Sequence, residues 1–167
     1  MNLETISVSE IMNSIVKTVN EDKNVMSACK IMHKNKIGSV IVVTIVGDGR
    51  PVGIITERDV VRILSKENPG LLHFALWKLM SKPLVTIDES APISKAISIM
   101  ANKGIRRLVV KKNKKMVGIL TQKDILKTVE KNPDLLLESY GENFSPDLKE
   151  IYRRLNQFRY YHLLPDL

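Results

Sequence analysis

Gly53-Ile54-Ile55-Thr56-Glu57-Arg58-Asp59 decides the fold, because the chain repeats it 65 residues later as Gly118-Ile119-Leu120-Thr121-Gln122-Lys123-Asp124. Each copy follows a valine, Val52 or Val117, and leads into an apolar helical stretch. The motif therefore marks a strand-to-helix junction that occurs twice. It sets a hydroxyl and a carboxylate beside a helix N-terminus in both places.

The duplication extends outward. Met12, Thr18, Ala28, Met32 and Val42 recur at a spacing of 68 as Met80, Thr86, Ala96, Met100 and Val110. The change of spacing leaves three extra residues in the first copy, over Val46-Gly47-Asp48-Gly49-Arg50-Pro51, where a longer hairpin loop is expected. The second copy turns on Lys111-Lys112-Asn113-Lys114-Lys115. Insertions collect in turns, which supports the alignment. A unit of about 60 residues buries only about 60% of its unfolded surface, so the two copies are expected to pair.

Within each copy the periodicity gives the elements. Val8 to Met12 and Leu76 to Met80 read as short helical turns leading into extended Ile15 to Val19 and Leu84 to Ile87. Apolar residues at Val25, Ala28, Cys29, Met32 and at Ile93, Ala96, Ile97, Met100 form one helical face, with Asp22 and Ser90 as expected N-caps and Pro92 in a first turn. Met32, Met100 and Cys29 are read as core. Ser39 to Val43, Val52 to Ile55, Leu108 to Val110 and Val117 to Leu120 are near-continuous apolar runs, as strands buried on both faces should be. Helices from Thr56 to about Lys66 and from Thr121 to about Lys131 close the copies, stopped by Asn68-Pro69 and Asn132-Pro133. The fold class is α/β (α+β), with β-α-β-β-α written twice. The domains run 1–68, 69–132 and 133–167, the last a helical extension whose stripe of Leu148, Ile151, Tyr152, Leu155 and Phe158 must cover either the module or a second subunit.

Composition narrows the classes. With 167 residues, 44% hydrophobic and 26% charged, the chain is an ordinary globular one. No apolar run reaches the roughly 20 residues of a membrane helix, and Met1-Asn2-Leu3-Glu4-Thr5 lacks a secretory pattern. A single cysteine rules out an internal disulfide and a cysteine-based zinc cluster, which points to the cytoplasm. His33, His73 and His162 stand in unrelated positions, and neither a nucleophile motif nor a Gly-x-x-x-x-Gly-Lys occurs, so neither a catalytic set nor a metal set is expected.

Thr56 and Asp59, like Thr121 and Asp124, have the spacing of a capping box, and capping is the bland reading. Gly53 and Gly118 ahead of them permit close backbone approach inside a strand, where glycine otherwise weakens the sheet. Such a site can bind a nucleotide without catalysis. Helix N-terminal amides attract a phosphate, and a carboxylate accepts bonds from a ribose diol. Ile54 and Ile119 offer an apolar wall for a base, while Arg58, Lys123, Arg106 and Arg107 supply cations.

These copies resemble a tandem pair of cystathionine-β-synthase (CBS) domains, the Bateman module, over about Val8 to Val129. The resemblance rests on Val8-x-x-Ile11-Met12, Ile37-Gly38-Ser39-Val40-Ile41-Val42, Gly49 to Asp59, Gly104-Ile105-Arg106-Arg107-Leu108-Val109-Val110 and Met116 to Asp124. It implies two pseudo-symmetric units whose clefts bind AMP, ADP, ATP or S-adenosylmethionine, with Asp59 and Asp124 on the ribose and Thr56 and Thr121 facing phosphate. It further implies a crossed lining, with Val16, Lys17, Ile37 and Gly38 for the Asp124 site and Leu84, Val85, Ile105 and Arg106 for the Asp59 site. Arg106-Arg107 is answered by Gly38-Ser39, so unequal clefts are expected, the arginines favouring phosphate and the Gly38-Ser39 cleft weak or empty.

The expected function is a non-enzymatic regulatory module, a homodimer that signals an adenosine ligand to an effector protein. The net charge of +8 leaves a second class open, a basic factor that binds nucleic acid through Lys111 to Lys115 and the Arg153, Arg154, Arg159 tail. A third is a structural dimerisation module with vestigial clefts.

Overall fold

A computed structural model describes residues 3–47, 49–132 and 135. The first copy consists of α1 (Val8–Ile11), β1 (Thr18–Asn20), α2 (Val25–Asn35), β2 (Ser39–Val43), β3 (Pro51–Thr56) and α3 (Glu57–Leu64). The second repeats the order as α4 (Leu76–Leu79), β4 (Thr86–Asp88), α5 (Ile93–Lys103), β5 (Arg107–Lys112), β6 (Lys115–Thr121) and α6 (Gln122–Lys131). A 3₁₀ segment at Pro69–His73, not foreseen from the sequence, joins them; Asn68 caps it by accepting the Gly70 N–H at 3.1 Å.

Each copy contributes a three-stranded sheet, in the orders β1-β2-β3 and β4-β5-β6. β1 runs parallel to β2 and β3 antiparallel to it, with Thr18 opposite Ile41 and Ile41 opposite Ile54. Val40 to Val43 are all buried, as expected of a strand covered on both faces. The β5–β6 hairpin turns on Asn113 and Lys114, both at positive φ (47° and 66°), the backbone of a type I′ turn. The first copy makes the same connection through the longer loop from Thr44 to Arg50.

Two helix starts differ from expectation. α2 is capped by Asn24, whose side chain accepts the Ser27 N–H at 3.0 Å, rather than by Asp22. Asn24 lies next to the first helical residue, where an N-cap oxygen can reach an amide of the first turn; Asp22 is two residues too early. In α5 Pro92 occupies the N-cap position, and Ser90 donates its N–H and hydroxyl to Asp88 instead.

The molecule divides into two compact units that are not the two sequence copies. One comprises Met1–Met12, Asp88–Arg107 and the chain from Leu120; the other comprises Asn13–Ile87 and Leu108–Ile119. The lead-in segments explain the division, since each docks on the other copy. The Val8 N–H donates to Ala91 O at 2.8 Å and Ser7 bridges Pro92. In the other unit the Leu76 N–H donates to Lys23 O at 2.7 Å and Asn24 bridges Ala75. Asn13 exchanges backbone bonds with Ile119 of β6, both 2.9 Å, and Ser81 does the same with Ile54 of β3, at 2.9 and 3.0 Å. Each lead-in thus covers the outer edge of the other copy's sheet.

The larger core packs α2, β2, β3, α3 and α4 around Val25, Ala28, Val40, Ile55, Ile63 and Leu76. Met32 and half-buried Cys29 belong to it, as read from the sequence. Burial pushes the Cys29 thiol above its ordinary pKa, in keeping with a packing role. A second cluster joins strands of both copies through Ile41, Val43 and Val109. In the other unit Ile6, Ile93 and Leu135 are buried together. The extension expected over 133–167 lies, apart from Leu135, outside the described residues.

Candidate functional site

Both repeated motifs sit at the expected strand-to-helix junctions, and both form complete capping boxes. Thr56 ends β3 in an extended conformation (φ −121°) and caps α3: its Oγ1 accepts the Asp59 N–H at 3.2 Å, while Asp59 Oδ2 accepts the Thr56 N–H at 2.9 Å. Thr121 and Asp124 repeat this at 3.3 and 2.9 Å at the start of α6. The Thr56 hydroxyl also donates to Asp59 Oδ2 at 2.7 Å, and that of Thr121 donates to Asp124 Oδ2.

Beyond the shared box the two carboxylates differ. Asp59 is 6% exposed, and its Oδ1 accepts from Arg62 Nη2 at 2.9 Å and from the Ser81 hydroxyl at 2.8 Å. Burial is the largest single influence on its pKa and raises it. The hydrogen bonds from Thr56, Ser81 and Arg62 together outweigh burial and hold the carboxyl below its ordinary value. Asp124 is only half-buried, and its Oδ1 accepts no hydrogen bond among the described residues. Arg62 and Ser81 were not foreseen. Arg62 lies at i+3 on the same helix and was legible as a partner of Asp59; Ser81 comes from the next copy and needed the topology.

Within the unit that holds Asp59, the fold brings Ile54, Val16, Leu84 and Ile119 into one apolar cluster with Ile41, Val43 and Val109. Lys17 and Val85 play matching backbone roles: Lys17 O accepts the Ile41 N–H and Val85 O the Val109 N–H, each at 3.1 Å. Gly38 O accepts the Glu57 N–H at 3.2 Å, which fixes Gly38 against the first turn of α3. Ile37 and Gly38 line a groove of about 780 Å³ between α2 and α3, together with Met32, His33, Lys36 and Val60. Arg58 is exposed beside it in sequence.

In the other unit Arg106 O accepts the Gln122 N–H at 2.9 Å, which fixes exposed Arg106 against the first turn of α6. Ile105 follows α5 and donates to Met100 O at 3.0 Å. Arg107 is half-buried at the start of β5, and Lys123 is exposed on α6. Both backbone links run within a copy, Gly38 to α3 and Arg106 to α6.

Gly53 has a local reason to be glycine. A Cβ there would run into the Met80 side chain, lying 2.7 Å from Cγ. The close approach that the motif glycine permits is therefore filled, in the first copy, by the protein's own methionine.

The CBS-domain family model matches residues 8–66 and again 76–131. The chain belongs to the CBS-domain family. It is 35% identical over 127 residues to an uncharacterised protein of Methanopyrus kandleri, across 74% of this chain and 63% of that protein, so the match spans somewhat less than two thirds of the relative's length. Among solved structures it is similar to a CBS-domain protein of Pyrobaculum aerophilum complexed with AMP: 25% identity, TM-score 0.69, 80% of this chain and 97% of that one. It is also similar to the CBS-domain pair of a protein solved with 5′-methylthioadenosine and S-adenosyl-L-methionine, at 25% identity and TM-score 0.65, over 74% and 94% of the two chains. The tandem CBS pair read from the sequence is thereby established. Among the described residues no helix is long and apolar enough to cross a membrane, and no three metal-ligating side chains cluster.

Proposed function

We propose that this CBS pair is a non-catalytic regulatory module that binds AMP, ADP, ATP or S-adenosylmethionine and signals occupancy to an effector protein. The sugar is held by the aspartate of a Thr-x-x-Asp motif, and the phosphate or other charged group lies toward the helix start and its cations. The observation that carries this reading is Asp124. A half-buried carboxylate is oriented by its own capping box, has one oxygen open among the described residues, and stands at a helix N-terminus whose first turn is tied to Arg106. Two similar CBS structures that hold adenosine compounds support the ligand class.

The repeat boundaries 1–68 and 69–132, with 133–167 appended, belong to this reading. So does a cytoplasmic homodimer, for which exposed Val61, Leu64, Phe74 and Trp77 in one unit supply apolar surface. Thermal shift with AMP, ADP, ATP, NAD and S-adenosylmethionine tests the ligand class. A compound selective for the folded chain raises the melting temperature by several degrees at about a hundredfold its Kd. No rise with any of them, or a rise untouched in both Asp124→Asn and Asp59→Asn, rejects the reading.

The nucleic-acid alternative draws on Lys112, Lys114 and Lys115, all exposed around the hairpin turn. Binding there would weaken steeply as salt rises, whereas adenosine binding would respond less.

A further inference from the structure

We infer that the two motifs have diverged in use. Asp124 takes the ligand's ribose, while Arg62 and Ser81 latch Asp59 shut as a structural group. The inference deepens the adenosine reading above and rests on it.

A diol donates two hydroxyl hydrogens, so the carboxylate that receives it must have lone pairs to spare. An ionised carboxylate has about four such positions. Asp59 spends all four on the protein: Oδ2 on the Thr56 N–H and hydroxyl, Oδ1 on Arg62 and Ser81. Asp124 spends two, both on Oδ2, and its Oδ1 accepts nothing among the described residues. For a sugar to use Asp59 it would have to expel a guanidinium bonded at 2.9 Å from a carboxylate that is 6% exposed. It would exchange a cationic donor for a neutral hydroxyl on the same carboxylate and give up the ion pair. At Asp124 no such exchange is needed.

The divergence is written at aligned positions. The spacing of 65 puts Lys127 where the first copy has Arg62, and the spacing of 68 puts Asn13 where the second has Ser81. Lys127 makes no ion pair with Asp124 among the described residues, and its ammonium lacks the planar fork that matches a carboxylate edge. Asn13 Oδ1 is engaged locally, accepting the Ile15 N–H at 2.8 Å. The carbonyl of Arg106 holds the first turn of α6 and that of Gly38 the first turn of α3, so this assignment sets Arg106 with Asp124 rather than with Asp59, against the crossed lining that the resemblance implies.

Calorimetric titration of the full chain with AMP and, separately, with S-adenosylmethionine tests the assignment. The expected result is one equivalent per chain for the wild type. Asp124→Asn lowers its affinity at least tenfold, and the double variant Arg62→Lys/Ser81→Asn, which installs the second copy's residues around Asp59, gains a second equivalent. Because Asp59→Asn strips a structural group, wild-type occupancy is also read directly from a crystal structure grown with the binding compound, with the sugar expected on Asp124. A sugar on Asp59, two equal sites in the wild type, or a double variant that still binds one equivalent overturns the latch while leaving the adenosine reading intact. Failure of the wild type to bind either compound, or ADP or ATP titrated in the same way, overturns both, and is told apart by the absence of any heat or density.

Discussion

Ser81 donates its hydroxyl to Asp59 Oδ1 at 2.8 Å across 22 residues of chain, joining the lead-in of the second copy to the helix start of the first. With Arg62 on the same oxygen, this makes Asp59 a tertiary junction as well as a helix cap. Asp124 has only the cap among the described residues.

Unequal costs follow for the two aspartates. Asp124→Ala should cost about 1 kcal/mol, since it removes the carboxylate half of the capping box on Thr121. Asp59→Ala removes the same contribution, takes the acceptor from the Ser81 hydroxyl and releases half-exposed Arg62, at about 1–2 kcal/mol more. Urea denaturation of the two variants, compared at unchanged m-value, checks the difference; equal midpoints would contradict the junction.

The acid limb of stability should carry the signature of Asp59. Its folded pKa lies below the ordinary 3.8, so its contribution is present in full above that value and is lost as pH falls through the folded pKa. The stability gap between the wild type and Asp59→Asn should therefore be constant at neutral pH and shrink below about pH 4. A gap that widens in acid would reverse the sign of the shift.

How much of this was legible in the chain depends on range. The strand-to-helix junctions, the buried strands and the capping boxes follow from residues within a few positions of one another, so Thr56 with Asp59 and Thr121 with Asp124 could be named directly. The lead-in exchange could not, because Val8 bonding to Ala91 and Leu76 to Lys23 depend on how two similar copies meet, and either copy could in principle have kept its own lead-in. Ser81 was hidden for the same reason. Asp22 and Ser90 failed as caps because good cap residues stood near each helix start and spacing alone does not choose among them; Asn24, adjacent to the first apolar turn, took one, and Pro92 displaced Ser90 from the other.

Gly53 and Met80 should be coupled. Gly53→Ala overpacks the strand against the methionine and should cost about 1–3 kcal/mol. Adding Met80→Ala should relieve part of that cost, giving a coupling energy of about 0.5 kcal/mol or more in a double-mutant cycle. Strict additivity would show that Met80 is not what the glycine accommodates.

The C-cap of α2 offers a gain. Lys36 adopts the left-handed conformation (φ 52°) at the position where α5 ends with Gly104 (φ 60°). Lys36→Gly should stabilise the chain by about 1 kcal/mol, since an L side chain is strained there, whereas Gly104→Ala should destabilise by a similar amount. Thermal melts of the two variants, moving in opposite directions, test this.

The reciprocal bridges, Asn13 to Ile119 and Ser81 to Ile54, make each half of the chain the other's chaperone. Cut between the repeats, either fragment would carry a tether that has lost its target and a row of unanswered peptide groups that invites its own kind. A solitary copy would thus leave open the sheet margin that its twin seals here.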